Sequence, residues 1–459
     1  MFNTTTYVER RDRLKKQVGS GILLFLGNED SPMNYTDNPF HFRQDSTFLY
    51  YFGLNSAGLN AIMDLDEDRE IIFGNELTIE DIVWMGTQPT LQEKSRIVGI
   101  EETAPAAELK EYIEKVKRKQ GKIHFLPPYR AEHSLKYFYL LGIHPEETAG
   151  SASIEFIKAV IAQRNIKSEE EVAEIEKAVN TSADMHITAM KIAKAGMTEA
   201  EVAAVVEQIA LASGGQISFP VIATIHGETL HNHYHGNTLK EGDMFLLDAG
   251  AETAIGYAGD LSSTFPVGKK FSSRQKEIYN IALAAHEAAV AALKPGVKFK
   301  DIHLLACKAI ASGMKDMGFM HGDVDEAVAA GAHALFFQCG TGHMMGLDVH
   351  DMENLGEAYV GYEGENKSTQ FGLKSLRLAR ELKSGYVLTI EPGIYFIPEL
   401  IDMWKAEKKL TQFINYDKVE TYKDFGGLRN EEDFLITSGG YKLLGKPVPK
   451  TIEEVEILR

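Results

Sequence analysis

The chain is short of three things, and each shortage excludes a class of protein. Two cysteines in 459 residues, Cys307 and Cys339, leave no disulfide framework to hold the fold together. Positive charge is scarce: 48 Lys and Arg against 66 Asp and Glu give a formal net charge of −18. That balance argues against nucleic acid and against an anionic membrane surface as partners, since both attract basic patches. Long apolar runs are missing as well. The longest early one, GILLFLG at residues 21–27, suits a buried strand and falls far short of the roughly 20 residues that cross a bilayer. The N-terminal stretch MFNTTTYVERRDRLKKQ carries no apolar segment of a secretion signal, so a cytoplasmic protein is expected.

What is present is the mix of a soluble globular protein, 44% hydrophobic and 25% charged, in a chain long enough for two or three domains. Up to residue 165, strand-like runs (GILLFLG, LNAIMDLD, EIIFGN) alternate with helical ones, as in an α/β domain. The pattern predicts a helix over 103–119 and a strand over 122–126, stopped by Pro127-Pro128. A long helix is predicted from Ser168, where Ser168-x-x-Glu171 forms a capping box and Val172, Ile175, Val179 and Ala183 follow at helical spacing. The boundary therefore falls between domains at 1–165 and 166–459. Within the second, Lys194-Ala-Gly196-Met197 and Lys294-Pro-Gly296-Val297 each join two amphipathic helices, which suggests a duplicated α+β half-domain; ordinary turn chemistry between helices is the alternative.

The second domain also places ionisable residues at the edges of apolar runs. Asp248 follows Met244-Phe245-Leu246-Leu247, and Asp260 precedes Leu261. His343 and His350 lie in HMMGLDVHD, Glu391 ends Val387-Leu388-Thr389-Ile390, and Arg429, Glu431, Glu432 and Asp433 lead into Phe434-Leu435-Ile436. LHNHYHGN adds His231, His233 and His235, of which the last two read as solvent-facing. A buried carboxylate is costly unless paired, and a dication is its strongest partner. Two Asp, two Glu and one His suit hard or borderline dications such as Mn2+, Co2+ or Zn2+, and four carboxylates match a pair of ions. Each motif also has a plain reading: an Asx turn at Asp248, a core histidine at His343, a strand-ending turn at Glu391, a solvated charge run at Glu431–Asp433. Only their joint occurrence in one half of the chain favours a metal site.

In these blocks, LLDAG…YAGD-x-x-x-TFP, GLDVHD, EPGIYF and G-x-R-x-E-[ED]-D, the sequence resembles the aminopeptidase P/prolidase family of pita-bread metallopeptidases. The N-terminal stretch FHFRQDSTFLYYFGLN (40–55) resembles the signature of that family's first domain, so the likeness covers nearly the whole chain. Methionine aminopeptidases lack that domain, and creatinases lack the metal set. The resemblance implies an α/β N-terminal domain followed by an α+β pita-bread catalytic domain with an internal pseudo-twofold. It implies Asp248, Asp260, His343, Glu391 and Glu431 as ligands of two divalent ions, Mn2+ first, with Asp260 and Glu431 bridging. It also implies a homo-oligomer, dimer or tetramer.

The activity implied is hydrolysis of the bond before proline, with a slight preference for Xaa-Pro dipeptides over longer peptides. A non-catalytic binding protein on the same fold is the distant alternative. Glu391 is expected to move the proton of the attacking water to the leaving nitrogen, and His231 and His350 to polarise the carbonyl. Arg377 and Arg429 match positions where prolidases hold arginines, suited to a substrate carboxylate; for Arg377 a plain helix surface is the alternative. Two departures stand out. Cys339 replaces a substrate-side histidine of the family's H-G-x-x-H. Asp248 and Asp260 are twelve residues apart, one more than usual, and a bulge in the 252–256 turn is expected to absorb the difference.

Overall fold

The computed structural model describes residues 1–459, and these divide into two compact units, Met1–Arg164 with Met352–Tyr359, and Asn165–Asp351 with Val360–Arg459. In the first unit five strands form one mixed sheet, ordered Glu102–Ala104, Arg69–Phe73, Asn60–Asp64, Ile22–Leu26 and Ile123–His124. Ile22–Leu26 and Asn60–Asp64 are buried along their whole length because helices cover the sheet. One face, Ile22, Leu24, Leu26, Ile62, Ile71 and Phe73, packs against Leu109, Ile113, Val116, Tyr137 and Leu140.

The helix expected over 103–119 is shorter. Glu102–Ala104 is an edge strand parallel to Arg69–Phe73, and the helix runs Glu108–Arg118. Pro105 explains the difference, because the residue before a proline is driven out of the helical region into extended backbone. The strand expected over 122–126 contracts to Ile123–His124.

The second unit contains two copies of one arrangement. The first copy has helices Glu169–Ile192 and Glu199–Ala212 and a sheet ordered Leu261–Pro266, Met244–Ala249, Ile222–Thr224. The second has helices Ser273–Ala291 and Phe299–Asp316 and a sheet ordered Val387–Ile390, Glu432–Thr437, Gly440–Leu443. The capping box forms at Ser168, whose Oγ accepts from the Glu171 N–H at 3.3 Å while Glu171 accepts from the Ser168 N–H at 3.0 Å. The hydrogen bonds of the two copies correspond. The Gly196 N–H donates to the Leu239 carbonyl and Leu239 donates back to Met197; Gly296 donates to Leu382, and Leu382 donates back to Val297. Asp248 lies nine residues beyond Leu239, and Glu391 nine beyond Leu382. The duplication thus puts a carboxylate at the same place in each half.

The Asp248–Asp260 hairpin has no bulge. Pairing runs in one register from Met244↔Pro266 to Ala249↔Leu261 and resumes in the same register at Glu252↔Ala258. The extra residue sits in the turn, where the Thr253 N–H donates to the Tyr257 carbonyl and Gly256 takes φ 88°. Glycine is required where the hairpin crosses: a Cβ on Gly250 would lie 1.9 Å from the Gly259 carbonyl oxygen. No helix is long and apolar enough to cross a membrane.

Candidate active site

Strand register brings the five acidic and imidazole groups together. Asp248 is paired with Ser262 across the hairpin. Asp260 lies two residues before Ser262, so the side chains of Asp248, Ser262 and Asp260 share one face of the pleat. Glu391 directly follows Val387–Ile390, and Glu431 directly precedes Glu432–Thr437, whose first residue pairs with Ile390. The Glu431 N–H donates to the Ser262 carbonyl at 2.9 Å, stitching the second pair of carboxylates to the first. His343 is anchored to the strand before Glu391, its carbonyl accepting from the Thr389 N–H at 3.0 Å. A Cβ on the preceding Gly342 would lie 2.0 Å from the Thr389 carbonyl, so only glycine allows that approach.

Ligand atoms of Asp260, His343 and Glu431 all lie within 4.8 Å of one another. His343 Nε2 is 3.3 Å from Asp260 Oδ2 and 3.7 Å from Glu391 Oε1. Its Nδ1 faces the Met344 carbonyl at 3.1 Å, the kind of outer partner that orients a metal-binding imidazole. Asp260 and Glu431 are only 5% and 4% exposed, yet Asp248 Oδ1, Asp260 Oδ1 and Glu431 Oε1 have no hydrogen-bond donor. Buried carboxylate oxygens facing one another without donors are strongly disfavoured, and divalent cations are the partners that fit them.

The proton equilibria carry the same imprint. Burial, and then the charge of neighbouring carboxylates, raises the pKa of Asp260 and lifts that of Glu431 well above the carboxylate range. Burial pushes Glu391 up to about 7. For His343, burial works against the imidazolium, but the hydrogen bond to Asp260 and the charge of Glu391 outweigh it and raise its pKa.

Around Arg429, four polar groups not expected there from the sequence, Ser262, Thr389, Tyr395 and Asp433, complete the site. The Arg429 guanidinium, buried, donates to Asp248 Oδ2 at 2.6 Å, Ser262 Oγ at 3.0 Å and Tyr395 Oη at 2.7 Å. Ser262 Oγ in turn donates to Glu431 Oε2 at 2.8 Å. Asp433 accepts the Asp260 N–H at 3.0 Å, and Thr389 Oγ1 accepts from the His343 N–H at 3.2 Å. Ser262 was findable as the residue two beyond Asp260, and Tyr395 as part of GIYF. The solvated-run reading of Glu431–Asp433 does not hold, since all three are buried.

Asp248, Asp260, His343, Glu391, Arg429 and Glu431 line a pocket of about 220 Å3 together with His231, His233, His350, Ser375, Arg377 and Cys339, and with apolar Phe219, Pro220, Ile222, Leu230 and Val349. His350 meets the His343 ring at 4.3 Å between centroids. His231 stands at the open rim, and His233, expected to face solvent only, lines the pocket as well. His235 does not; its ring faces the Val221 carbonyl. Arg377 lies outside any helix, on an irregular segment tied by the Tyr362 hydroxyl to the Leu376 carbonyl, so the helix-surface alternative falls away. Cys339 lies 3.9 Å from Tyr395 Oη, and burial, then Glu391, pushes its thiol up to about 12.

Comparison with known proteins agrees with this geometry. Residues 173–438 match metallopeptidase family M24, and residues 7–124 match the N-terminal domain of aminopeptidase P. A Homo sapiens Xaa-Pro dipeptidase is 30% identical over 97% of this chain and 90% of its own length. A probable Xaa-Pro aminopeptidase of Sordaria macrospora is also 30% identical, over 97% and 92%. The zinc-substituted Escherichia coli aminopeptidase P, solved in complex with product, superposes with TM-score 0.81 at 26% identity, covering 100% of this chain and 98% of that one. The Pseudomonas aeruginosa aminopeptidase PepP superposes with TM-score 0.82 at 24% identity and the same coverage.

Proposed function

The chain belongs to metallopeptidase family M24 and carries the aminopeptidase P type of N-terminal domain; from that premise we propose that it hydrolyses the peptide bond before proline, preferring Xaa-Pro dipeptides and accepting longer Xaa-Pro peptides second. The observation that carries this reading is the convergence of five ligand-type side chains on one pocket, three of whose carboxylate oxygens are buried without donors. Asp248, Asp260, His343, Glu391 and Glu431 would hold two divalent ions, Mn2+ first, with Co2+ or Zn2+ as substitutes. When bound, such ions supply Lewis acidity at the scissile carbonyl and bring the pKa of water near neutrality.

The remaining chemistry belongs to the chain. Glu391 takes the proton of the attacking water and passes it to the proline nitrogen as that bond breaks. His231 and His350 donate hydrogen bonds to the carbonyl oxygen as charge develops on it. The bond before proline lacks an N–H, so recognition falls to shape, and Phe219, Pro220, Ile222, Leu230 and Val349 supply apolar wall for the ring. Arg377 reads a carboxylate placed directly after proline, which favours dipeptides. Arg429 keeps the role of holding Asp248 and so acts on the ligand rather than on the substrate.

The exposed apolar helix Ile79–Met85, with Ile79, Val83 and Trp84 at 78%, 74% and 81% exposure, supports a homo-oligomer, dimer or tetramer. Two unpaired thiols support a cytoplasmic setting.

The test is Mn2+-reloaded protein assayed on Ala-Pro, Ala-Pro-Ala and Ala-Ala. Hydrolysis of Ala-Pro above the others is expected. Faster cleavage of the tripeptide would make it an aminopeptidase. With two ions bound and all three peptides intact, the binding-protein alternative would stand instead.

A further inference from the structure

A second cluster of ligand-type side chains lies apart from the five carboxylate and imidazole groups above. His303 and Cys307 sit four residues apart on Phe299–Asp316 and so point from one face of that helix. His333 reaches the same point from the short helix Ala332–Leu335. One ligand atom from each of the three lies within 4.8 Å of the others, and all three residues are fully buried at 0% exposure.

Three features of the cluster go beyond packing. First, His303 Nδ1 lies 2.9 Å from Thr341 Oγ1. When Nδ1–H donates there, Nε2 carries the free lone pair, and it is this nitrogen that faces Cys307 Sγ at 3.5 Å. Fixing the outer nitrogen with a hydrogen-bond acceptor is how an imidazole is aimed at a metal, and here a hydroxyl takes the place of the more common carboxylate or carbonyl. Second, the 3.5 Å separation is near what ligation needs: bonds of about 2.3 Å to sulfur and 2.0–2.1 Å to nitrogen at the roughly 120° of three-coordination set the two atoms about 3.8 Å apart, a shift of a few tenths of an ångström. Third, neither ring nitrogen of His333 makes a well-formed hydrogen bond; beside burial only the Val328 carbonyl acts on the ring, and it leaves the pKa lowered to about 4. A buried imidazole with both nitrogens unmet is expensive, and a metal bond at one of them removes the cost.

We infer that His303, Cys307 and His333 form a second metal site, which takes one thiophilic monovalent ion, Cu+, in three-coordinate sulfur and nitrogen ligation. Charge decides between candidate ions. Beside burial, the groups that act on these three residues are one another, Thr341, Cys339 and backbone groups at Cys307 and Val328, and no carboxylate is among them. One thiolate with two neutral imidazoles makes Cu+ a neutral unit, whereas Zn2+ would leave a net positive charge in the core. Binding forms the Cu–S bond and releases the Cys307 proton to solvent. The site would stiffen the segment that carries His343, because Thr341 also accepts the Glu391 N–H at 2.8 Å through its carbonyl.

The test uses the full chain, produced in copper-supplemented cells and, separately, loaded anaerobically with Cu+ held by a weak chelator. Bound copper and near-ultraviolet thiolate-to-copper absorption are then measured in a Cys339→Ala background, which removes the only other thiol. One copper per chain with that absorption is expected, together with a raised Tm. Adding Cys307→Ala should abolish both, while a far-ultraviolet circular dichroism spectrum and a cooperative denaturant transition matching those of the Cys339→Ala parent report that the chain has folded. X-ray absorption at the copper edge of the Cys339→Ala protein should give one sulfur and two nitrogens without touching the cluster. Absence of copper from the Cys339→Ala protein by both routes would overturn the site. So would copper that persists after Cys307→Ala, or a copper shell without sulfur. A Cys307-dependent Zn2+ taken up in preference to Cu+ would overturn the choice of ion.

Discussion

Arg429 Nη2 lies 2.6 Å from Asp248 Oδ2, in a pair of which the arginine side chain is 4% exposed and the aspartate 12%. The same guanidinium reaches Ser262 and Tyr395, so one planar fork fixes the Asp248 carboxylate, the hydroxyl that bonds Glu431, and the phenol beside Cys339. A point charge on a flexible stem cannot make those three bonds together. Arg429→Lys is therefore expected to lower metal affinity or kcat by about 10–100-fold, the range for losing an outer partner of a ligand. KM for Ala-Pro should change little. Metal titration beside steady-state kinetics checks this; a large rise in KM with kcat and metal affinity intact would instead make Arg429 a substrate contact.

Glu431→Gln separates activity from stability. In the metal-free protein, burial and the neighbouring carboxylates raise the Glu431 pKa, so the stability that goes with its protonated form is complete below its unfolded pKa and is lost as pH rises. A glutamine imitates the protonated form at every pH. Metal-free Glu431→Gln should thus be more stable than metal-free wild type at pH 8, by about 1–3 kcal/mol, with the gap closing towards pH 4. Its metal content and hydrolysis should collapse. Denaturant melts at the two pH values and elemental analysis provide the comparison.

Arg377→Ala should raise KM for Ala-Pro by about 10–100-fold, the loss of a charge-assisted bond worth roughly 1.5–3 kcal/mol. Ala-Pro-amide, which lacks the carboxylate, should be hydrolysed equally by both proteins. Equal losses on the two substrates would remove the carboxylate-reading role.

His286 gives a pH test away from substrate. Neither nitrogen makes a hydrogen bond, and although Glu432 Oε2 lies 3.5 Å from Nε2, that carboxylate is taken up by Lys450 Nζ; burial, then the charge of Lys450, lowers the His286 pKa to about 3. A histidine lowered in this way contributes stability above its unfolded pKa of about 6.5, and that contribution drains away as pH falls towards the folded value. His286→Leu should gain stability relative to wild type as pH drops from 7 to 5, by up to about 1.4 kcal/mol per pH unit below 6.5. Paired denaturant curves at pH 7, 6 and 5 read the difference, in which all other titrating groups cancel. A gap that stays constant with pH would mean that His286 takes up its proton in the fold as readily as in the unfolded chain.

The residues that carry chemistry were legible in the chain because their types are chemically unusual where they stand. Asp248, Asp260, Glu391 and Glu431 each interrupt the edge of an apolar run, which a chain building only a core would avoid. The capping box at Ser168 was legible because it needs only residues within one turn. Other features depended on partners distant in sequence. Ser262 and Tyr395 look ordinary until Arg429, 167 and 34 residues away, bonds both. Glu431–Asp433 reads as a solvated run until the neighbouring strands cover it. His303, Cys307 and His333 are scattered polar residues until a helix and a short turn bring them to one point. Local pattern and composition thus pointed to the α/β first domain and the carboxylate-rich side-chain types, and the pita-bread fold followed from the family resemblance of the motifs. Which side chains meet, which are stripped of water and which lack partners was decided only by tertiary packing, because burial and hydrogen bonding are relations between segments and no single segment contains them.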